Sequence, residues 1–549
     1  MSIQRVQTVP YTVAGFGDKF THDFAARSAQ SEPFFGRQTW RDVLEKISKR
    51  SYPRAQLCDA LESRARKLNA PEAVFASIKA LRDTNTYAVV TGQQAGLLGG
   101  PLLTLHKALT AVRLARQYEA ESGGKARFVP VFWVAADDHD LAEIDHAWIV
   151  GESGELHRVQ AGAPSDSVGV SAARIRIDVD NGPSGAMRAQ LEKAGIASDK
   201  AAEITRFYGN EPMADVFARQ MLQWLGGLGL IVAHSADIRP LGRELLLAEL
   251  ERHAGTTRLI SDAGDAMRKL GYTAGFPKPH QGPHFFIETS GDVRAALVWD
   301  EAAKVYRERS GAFALRGLQA KTYTRDELSK LIETSPPRFS ASAALRPVLQ
   351  QAVFPVVSVA LGPGEIAYWA QLKGVHDQFN VPWPHVLPRA SATLIDGTGE
   401  KVIRKLEMLD RIADIFGDTE KLKSNVYSEK AASARLKERR ERILAELDAA
   451  ANDVKALAGG LDQMLHKVRS RFVHELERIE SRVGQVLSEQ EGVGERRLQY
   501  LSSLVRPRNS PQERVLCTAA FMLRHPQLPV DLLEVFDPAI REHFVITLG

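Results

Sequence analysis

Short apolar runs that stop at a polar turn constrain this chain most. Tyr87-Ala-Val-Val-Thr91 ends in glycines, and Phe128-Val-Pro-Val-Phe-Trp-Val-Ala135 ends in an acidic cluster. Apolar, β-branched runs of this length read as strands buried on both faces, the kind that a parallel sheet requires. Between the two lies Pro101–Tyr118, which has helical periodicity. Ala147-Trp-Ile-Val150 reads as a third strand, and Gly229-Leu-Ile-Val-Ala233 and Val356-Val-Ser-Val-Ala360 as further ones beside helical segments. Strands alternating with helices predict an α/β fold, a Rossmann-type doubly wound parallel sheet. The segment before Tyr87 reads as helices and loops, with amphipathic stretches near Trp40–Ser51 and Pro71–Asp83. The stretches around 151–228 and 238–345 read as insertions into the sheet, so the core is expected to run over 1–394.

From about residue 395 the composition changes. No proline stands between Pro388 and Pro507, and Glu, Lys, Arg, Ala and Leu dominate. Leu436, Ile443, Leu447, Ala450, Val454 and Leu457 fall at heptad a and d positions, with Arg440 at one a. After Gly459-Gly460, a second stripe runs through Leu465, Val468, Phe472, Leu476, Ile479, Val483 and Val486, with one extra step of four. Two amphipathic helices around a Gly-Gly turn predict a long α-helical antiparallel coiled-coil domain over 395–505. Its narrow stripes need burial, internally or against a second copy. Residues 506–549 regain prolines and are expected to pack back on the core.

With 549 residues, the chain is long enough for more than one domain. A net charge of +4 gives no electrostatic case for nucleic acid or an anionic membrane as partner. The start lacks a secretory pattern, and no apolar stretch approaches the roughly 20 residues that span a bilayer. Two distant cysteines, Cys58 and Cys517, form neither a disulfide framework nor metal-ligand spacing, which suits a reducing, cytoplasmic compartment.

Four motifs could carry chemistry. Thr91-Gly-Gln-Gln-Ala-Gly-Leu-Leu-Gly-Gly-Pro101 lies between strand and helix. Gly92, Gly96, Gly99 and Gly100 let the backbone turn and approach a ligand, Pro101 suits a helix start, and free N–H groups there favour an anion. His106 and Lys107, one to two turns in, face either the ligand or solvent. The pattern is neither the dinucleotide fingerprint nor a P-loop, and an ordinary glycine-rich connector would look the same. Asp137-Asp138-His139-Asp140 follows the second strand, where open α/β sheets bind ligands. It could hold a metal, orient an ammonium group or supply a base, and a capped helix start would explain only one of its acids.

Gly362-Pro-Gly364-Glu365 is a third strand-to-helix turn, from which Glu365, Tyr368 and Gln371 could share one helix face. Glu365 could equally just complement the helix dipole. Leu387-Pro-Arg-Ala-Ser391 offers Arg389 and Ser391, and Arg346 is a further arginine of the kind that grips carboxylate or phosphate. Either arginine could be an ordinary surface ion pair. No Ser-His-Asp arrangement or G-x-S-x-G is present, and the cysteines lack an activating neighbour.

Taken in order, Val90–Leu102, Val131–Asp140, Leu361–Gln371 and Leu387–Thr393 resemble the family that adds cysteine during bacillithiol synthesis. The resemblance extends from the Phe20–Phe35 region through the helical hairpin to Pro511-Gln-Glu-Arg514. One departure is Asp137, where that family tends to have Glu, which shortens one carboxylate arm. The resemblance implies a core related in outline to class I aminoacyl-tRNA synthetases and nucleotidyltransferases, and a coiled coil used for homodimerisation. It implies a ligase joining the carboxyl group of cysteine to the glucosamine amine of glucosaminyl malate, with ATP activating the carboxylate and ADP among the nucleotides to consider; a divalent metal stays open.

In that reading the 92–101 loop, with Gln93 and Gln94, holds nucleotide phosphates or malate carboxylates, where a synthetase signature sits. Asp138 and His139 bind the amino group of cysteine or deprotonate the sugar amine. Glu365, Tyr368 and Gln371 hold the sugar, and Arg389 an anion. Two alternatives stand beside it: a synthetase-like ligase or nucleotidyltransferase acting on another small amine, and an ATP-binding structural protein that works through the hairpin.

Overall fold

The computed structural model describes residues 3–151, 154–161, 167–177, 185–209, 211–289, 291–417, 434–457, 461–491 and 495–549. Five strands form its central sheet: β1 (Thr86–Gln94), β2 (Arg127–Ala135), β3 (Ile231–His234), β4 (Val356–Leu361) and β5 (His385–Pro388). Every pairing is parallel, and the spatial order is β5-β4-β1-β2-β3. Read from the other edge, this is the 3-2-1-4-5 order of the doubly wound fold. Thr86–Thr91 and Phe128–Val134 are buried without a break, as strands covered on both faces must be. The helix Leu103–Glu121 returns the chain from β1 to β2 and packs on both.

Among the described residues, the connection from β2 to β3 holds four α-helices, the last of them Met213–Leu225. The connection from β3 to β4 holds the long helix Arg243–Lys269 and a five-stranded antiparallel sheet. In this sheet Arg294–Asp300 lies between Val305–Arg309 and Phe285–Glu288.

Two expectations about strands need correction. Ala147–Val150 is no member of the central sheet, because His146–Val150 folds back on Leu156–Gln160 as a separate antiparallel pair. Its burial alternates for most of its length, the mark of a strand with one covered face, and the apolar run alone hid this. The opening segment also contains a strand, Ile3–Val9, whose side chains alternate in burial. That strand pairs antiparallel with His543–Leu548, which pairs in parallel with Ala392–Ile395. The two ends of the chain thus meet in one small sheet beside the core.

Helices Ala434–Leu457 and Asp462–Glu491 pack on one another, and an Arg469–Asp448 ion pair at 2.7 Å links them. The expected Gly459-Gly460 turn lies outside the described residues, as do the side chains of Leu436, Val483 and Val486. Ile443, Val468, Phe472 and Ile479 stay 40 to 54% exposed, so part of the apolar stripe lacks cover among the described residues. Among the described residues, no helix is long and apolar enough to cross a membrane.

Candidate active site

In the 3-2-1-4-5 order, the strand order reverses between β1 and β4, and the connections that leave their carboxyl ends run to opposite sides and open a crevice. A cavity of about 1070 Å³ opens there, lined by the turns after β1, β2 and β4. Gly92, Gln93, Gln94, Lys107, Asp137, Asp138, His139 and Asp140 face it from one side. Arg346, Gly362, Gly364, Glu365, Tyr368 and Arg389 face it from the other. Most of the residues singled out in the sequence are therefore neighbours in space.

Gly92 is a glycine for a steric reason, since a Cβ there would stand 2.6 Å from the carbonyl oxygen of Trp133 on the paired strand. Lys107 reaches the end of β1 from the following helix. Its Nζ donates to Gly92 O at 2.7 Å and Gln93 Oε1 at 2.8 Å, and pairs with Glu365 Oε2 at 2.5 Å. An ammonium has three protons and here has three acceptors, so Lys107 ties the β1 turn to the β4 turn. Burial pulls its pKa down against the pull of Glu365. Glu365 also accepts the Gly362 N–H at 2.8 Å, capping its own helix.

The acidic side is equally ordered. Asp138 Oδ2 accepts from Gln94 Nε2 at 2.6 Å, and Oδ1 accepts the His139 and Asp140 N–H groups at 2.8 and 3.2 Å. Burial alone would raise the Asp138 pKa, but the Gln94 amide, the Arg294 charge and these two N–H groups outweigh it and hold the carboxyl below its ordinary value. Gln94 also donates to Glu143 at 2.7 Å. Asp137 is engaged elsewhere: Arg239 donates to it at 2.8 Å and to Glu288 at 2.6 Å.

Arg294 is the residue that sequence reasoning missed. It is 7% exposed, lines the cavity, and rests 3.8 Å from the Phe286 ring centroid. Its guanidinium donates to Ser340 Oγ at 2.9 Å and to His139 Nδ1 at 3.3 Å. A guanidinium has no lone pair to offer, so Nδ1 is the acceptor and the proton of the neutral imidazole sits on Nε2. Burial first, and the Arg294 charge second, keep the His139 pKa low. Burial likewise brings Arg294 down to about 10 in spite of Asp137 and Asp138. Arg294 stands in a strand of the inserted sheet with no motif around it, so only the fold reveals it.

The remaining expected residues are placed otherwise. Gly96, Gly99, Gly100 and Pro101 do not line the cavity. Their loop folds into the protein: Leu98 N–H donates to Tyr208 Oη at 2.9 Å, Gly100 N–H to Leu97 O at 3.0 Å, and Leu102 N–H to Leu516 O at 2.8 Å. The donors proposed for an anion are spent on backbone and side-chain oxygens. The positive φ of Gly99 and Gly100 serves this packing, for a Cβ on Gly99 would meet the Trp224 ring at 2.4 Å.

Gln371 is 1% exposed and clamps backbone, accepting Phe276 N–H at 2.7 Å and donating to Ile260 O at 3.0 Å. Ser391 is buried and donates to Glu513 at 2.9 Å. Arg389 borders the cavity but has its terminal nitrogens on Glu513, so the anion it was expected to hold is a carboxylate of the protein itself. Glu513 belongs to the Pro511–Arg514 segment, which was legible as a motif though not as a partner of Arg389.

Two arginines at the cavity, Arg346 on the β4 side and Arg514, keep charge available. Arg346 donates to Tyr368 Oη at 3.0 Å and Gln350 Oε1 at 3.1 Å, and Arg514 lines the cavity while exposed. Neither forms a carboxylate ion pair among the described residues. Nor is any group of three or more His, Cys, Asp or Glu among the described residues disposed to hold a metal ion. The cavity therefore has an acidic wall at Asp138, Asp140 and Glu143 and a basic wall at Arg346 and Arg514.

Comparison with known proteins agrees with this architecture. Residues 1–390 match the family model described as bacillithiol biosynthesis BshC, N-terminal Rossmann-like domain, and 392–548 match the BshC C-terminal coiled-coil domain. Among relatives, proteins named "Putative cysteine ligase BshC" from Geobacillus kaustophilus and Geobacillus thermodenitrificans are 30% and 29% identical. The first match covers 90% of this chain and 89% of the relative, the second 92% of each. A relative of the same name from Salinibacter ruber is 27% identical over 98% of both chains. The chain belongs to the BshC family of bacillithiol biosynthesis.

Proposed function

We propose that this protein is a ligase that joins the carboxyl group of cysteine to the glucosamine amine of glucosaminyl malate, with ATP as the activating co-substrate. The observation that carries the reading is the pairing of an acidic and a basic wall across one cavity at the switch point of the sheet. Both organic substrates carry an amine and at least one carboxylate, and such molecules suit a site charged oppositely at its two ends.

The acidic wall suits the ammonium group of cysteine and the sugar amine. Asp138, fixed by Gln94 and two backbone N–H groups, is a rigid acceptor for an ammonium. His139 offers Nε2–H, a donor for an oxygen of the reacting carboxyl group. This differs from the role of base expected from the sequence, because the lone pair of the ring faces Arg294. Arg346 and Arg514 suit the malate carboxylates or nucleotide phosphates, and Lys107 with Glu365 keeps the turns around them in register.

ATP, when bound, converts the carboxylate into an acyl group with a competent leaving group. The neutral amine then forms the C–N bond as the activated C–O bond breaks. The oxygen departs with its electron pair and the phosphoryl or nucleotidyl group it carries, and the proton released from nitrogen passes to solvent water. The exposed stripe of Ile443, Val468, Phe472 and Ile479 supports homodimerisation through the coiled coil, and two buried unpaired thiols support a cytoplasmic setting. Purified protein given ATP, cysteine and glucosaminyl malate should form the cysteinyl product seen by mass spectrometry. Product with another amine and none with glucosaminyl malate would reassign the substrate.

A further inference from the structure

A second cavity, of about 350 Å³, lies at the far edge of the central sheet and shares no lining residue with the first. Its floor is β5, and its walls come from the Phe24–Thr39 segment and Arg541. Phe24 and Phe35, ring centroids 4.3 Å apart, give it an apolar side together with Leu387.

Its polar side is cationic, with Asp537 acting on Arg541 only through space and not as an ion pair. Arg37 is paired with Glu32 at 2.6 Å, so that couple adds no net charge. Arg27 and Arg541 form no side-chain hydrogen bond or ion pair among the described residues, although Arg541 is partly buried. Burial first, and the charge of Arg541 next, drive the pKa of His385 on the floor down to about 4, so the imidazole stays neutral and adds no charge to that of the arginines. Desolvating a guanidinium without a partner costs free energy, and an arginine pair left open to a cavity is the arrangement used to grip an oxyanion.

We propose that this cavity binds an organic anion, with its carboxylate or phosphate between Arg27 and Arg541 and a flat apolar body on Phe24 and Phe35. The strand beneath it runs from His385 to Pro388 and delivers Arg389 to the first cavity, so an occupant would rest on the same strand.

Isothermal titration calorimetry on the full chain tests this with three probes: phenyl phosphate, benzoate and inorganic phosphate. One aromatic anion should bind at least tenfold more tightly than inorganic phosphate, and the tighter of the two identifies the head group. Arg541→Met should weaken that binding at least tenfold while leaving the thermal midpoint unchanged or higher. If Arg541→Met lowers the midpoint, the exposed Arg27→Gln carries the same expectation for affinity. Arg514→Gln, in the first cavity, should leave probe binding as it was. The proposal is overturned if neither aromatic anion binds, if the arginine variants of this cavity bind normally, or if Arg514→Gln abolishes binding.

Discussion

Glu513 accepts both terminal nitrogens of Arg389, at 2.7 and 2.8 Å, and each side chain is only 1% exposed. His106 Nδ1, Ser391 Oγ and the Ala392 N–H complete the shell of that carboxylate. A segment from the far end of the chain thus pins the residue that follows β5 at the rim of the first cavity. Removing one charge strands the other, and breaking a buried pair costs about 3–5 kcal/mol. Glu513→Gln should lose stability on that scale in urea unfolding, and Arg389→Met/Glu513→Leu should regain much of it. Equal stability of the single and double variants would contradict a desolvated pair.

Acid sensitivity follows from buried histidines. Burial lowers His376 to about 3 and His234 and His543 to about 4. The unfolded chain has histidines near 6.5, so below that pH it takes up protons that the native state refuses. The stabilisation is complete above about 6.5 and is lost, at about 1.4 kcal/mol per pH unit for each histidine, as pH falls toward the folded values. Urea midpoints should drop between pH 7 and pH 5. His376→Leu, between Trp369 and Trp383, should lessen that slope by about one proton, and an unaltered slope would exclude His376 from the effect.

Glycines of similar appearance in the sequence should behave differently. Gly99→Ala places a methyl against Trp224 at a positive φ and should cost about 1–3 kcal/mol of stability. Gly364→Ala meets nothing within 4 Å and faces the first cavity, so it should keep the thermal midpoint and raise KM. Matching midpoints for the two variants would refute the packing role assigned to Gly99.

Phe472 and Ile479 are 47% and 54% exposed on the hairpin. If the coiled coil joins two copies, Phe472→Glu/Ile479→Glu should turn a dimer into a monomer by light scattering, with the core's thermal midpoint maintained. A variant that remains dimeric would place the interface elsewhere.

The central strands were legible because burial on both faces writes itself as an unbroken apolar run, as in Tyr87–Thr91. Ala147–Val150 has a similar composition and was misplaced, since a short run does not say which strand it pairs with. Asp138 and Gly92 announced themselves by standing where strands end. Gly96 and Gly99 looked alike in function to Gly92, yet their loop points into packed protein, and only Trp224 and Tyr208, over 100 residues away, decide that. Arg294 was hidden because it reaches its partners from a remote segment with no local pattern to mark it, and Glu513, though it stands in a recognisable motif, gave no sign that its partner was Arg389. Contacts of that kind are products of the fold, and the sequence holds them only through it.

The initial rate of cysteine ligation by Asp138→Asn tests the central claim most directly. The side chain keeps its size and an acceptor oxygen for the neighbouring N–H groups, so the thermal midpoint should remain close to that of the parent. Losing the negative charge that holds an amine should lower kcat/KM at least a hundredfold, about 2.7 kcal/mol of lost transition-state stabilisation. A folded variant that ligates at nearly the parental rate would remove Asp138, and the acidic wall built around it, from the reaction.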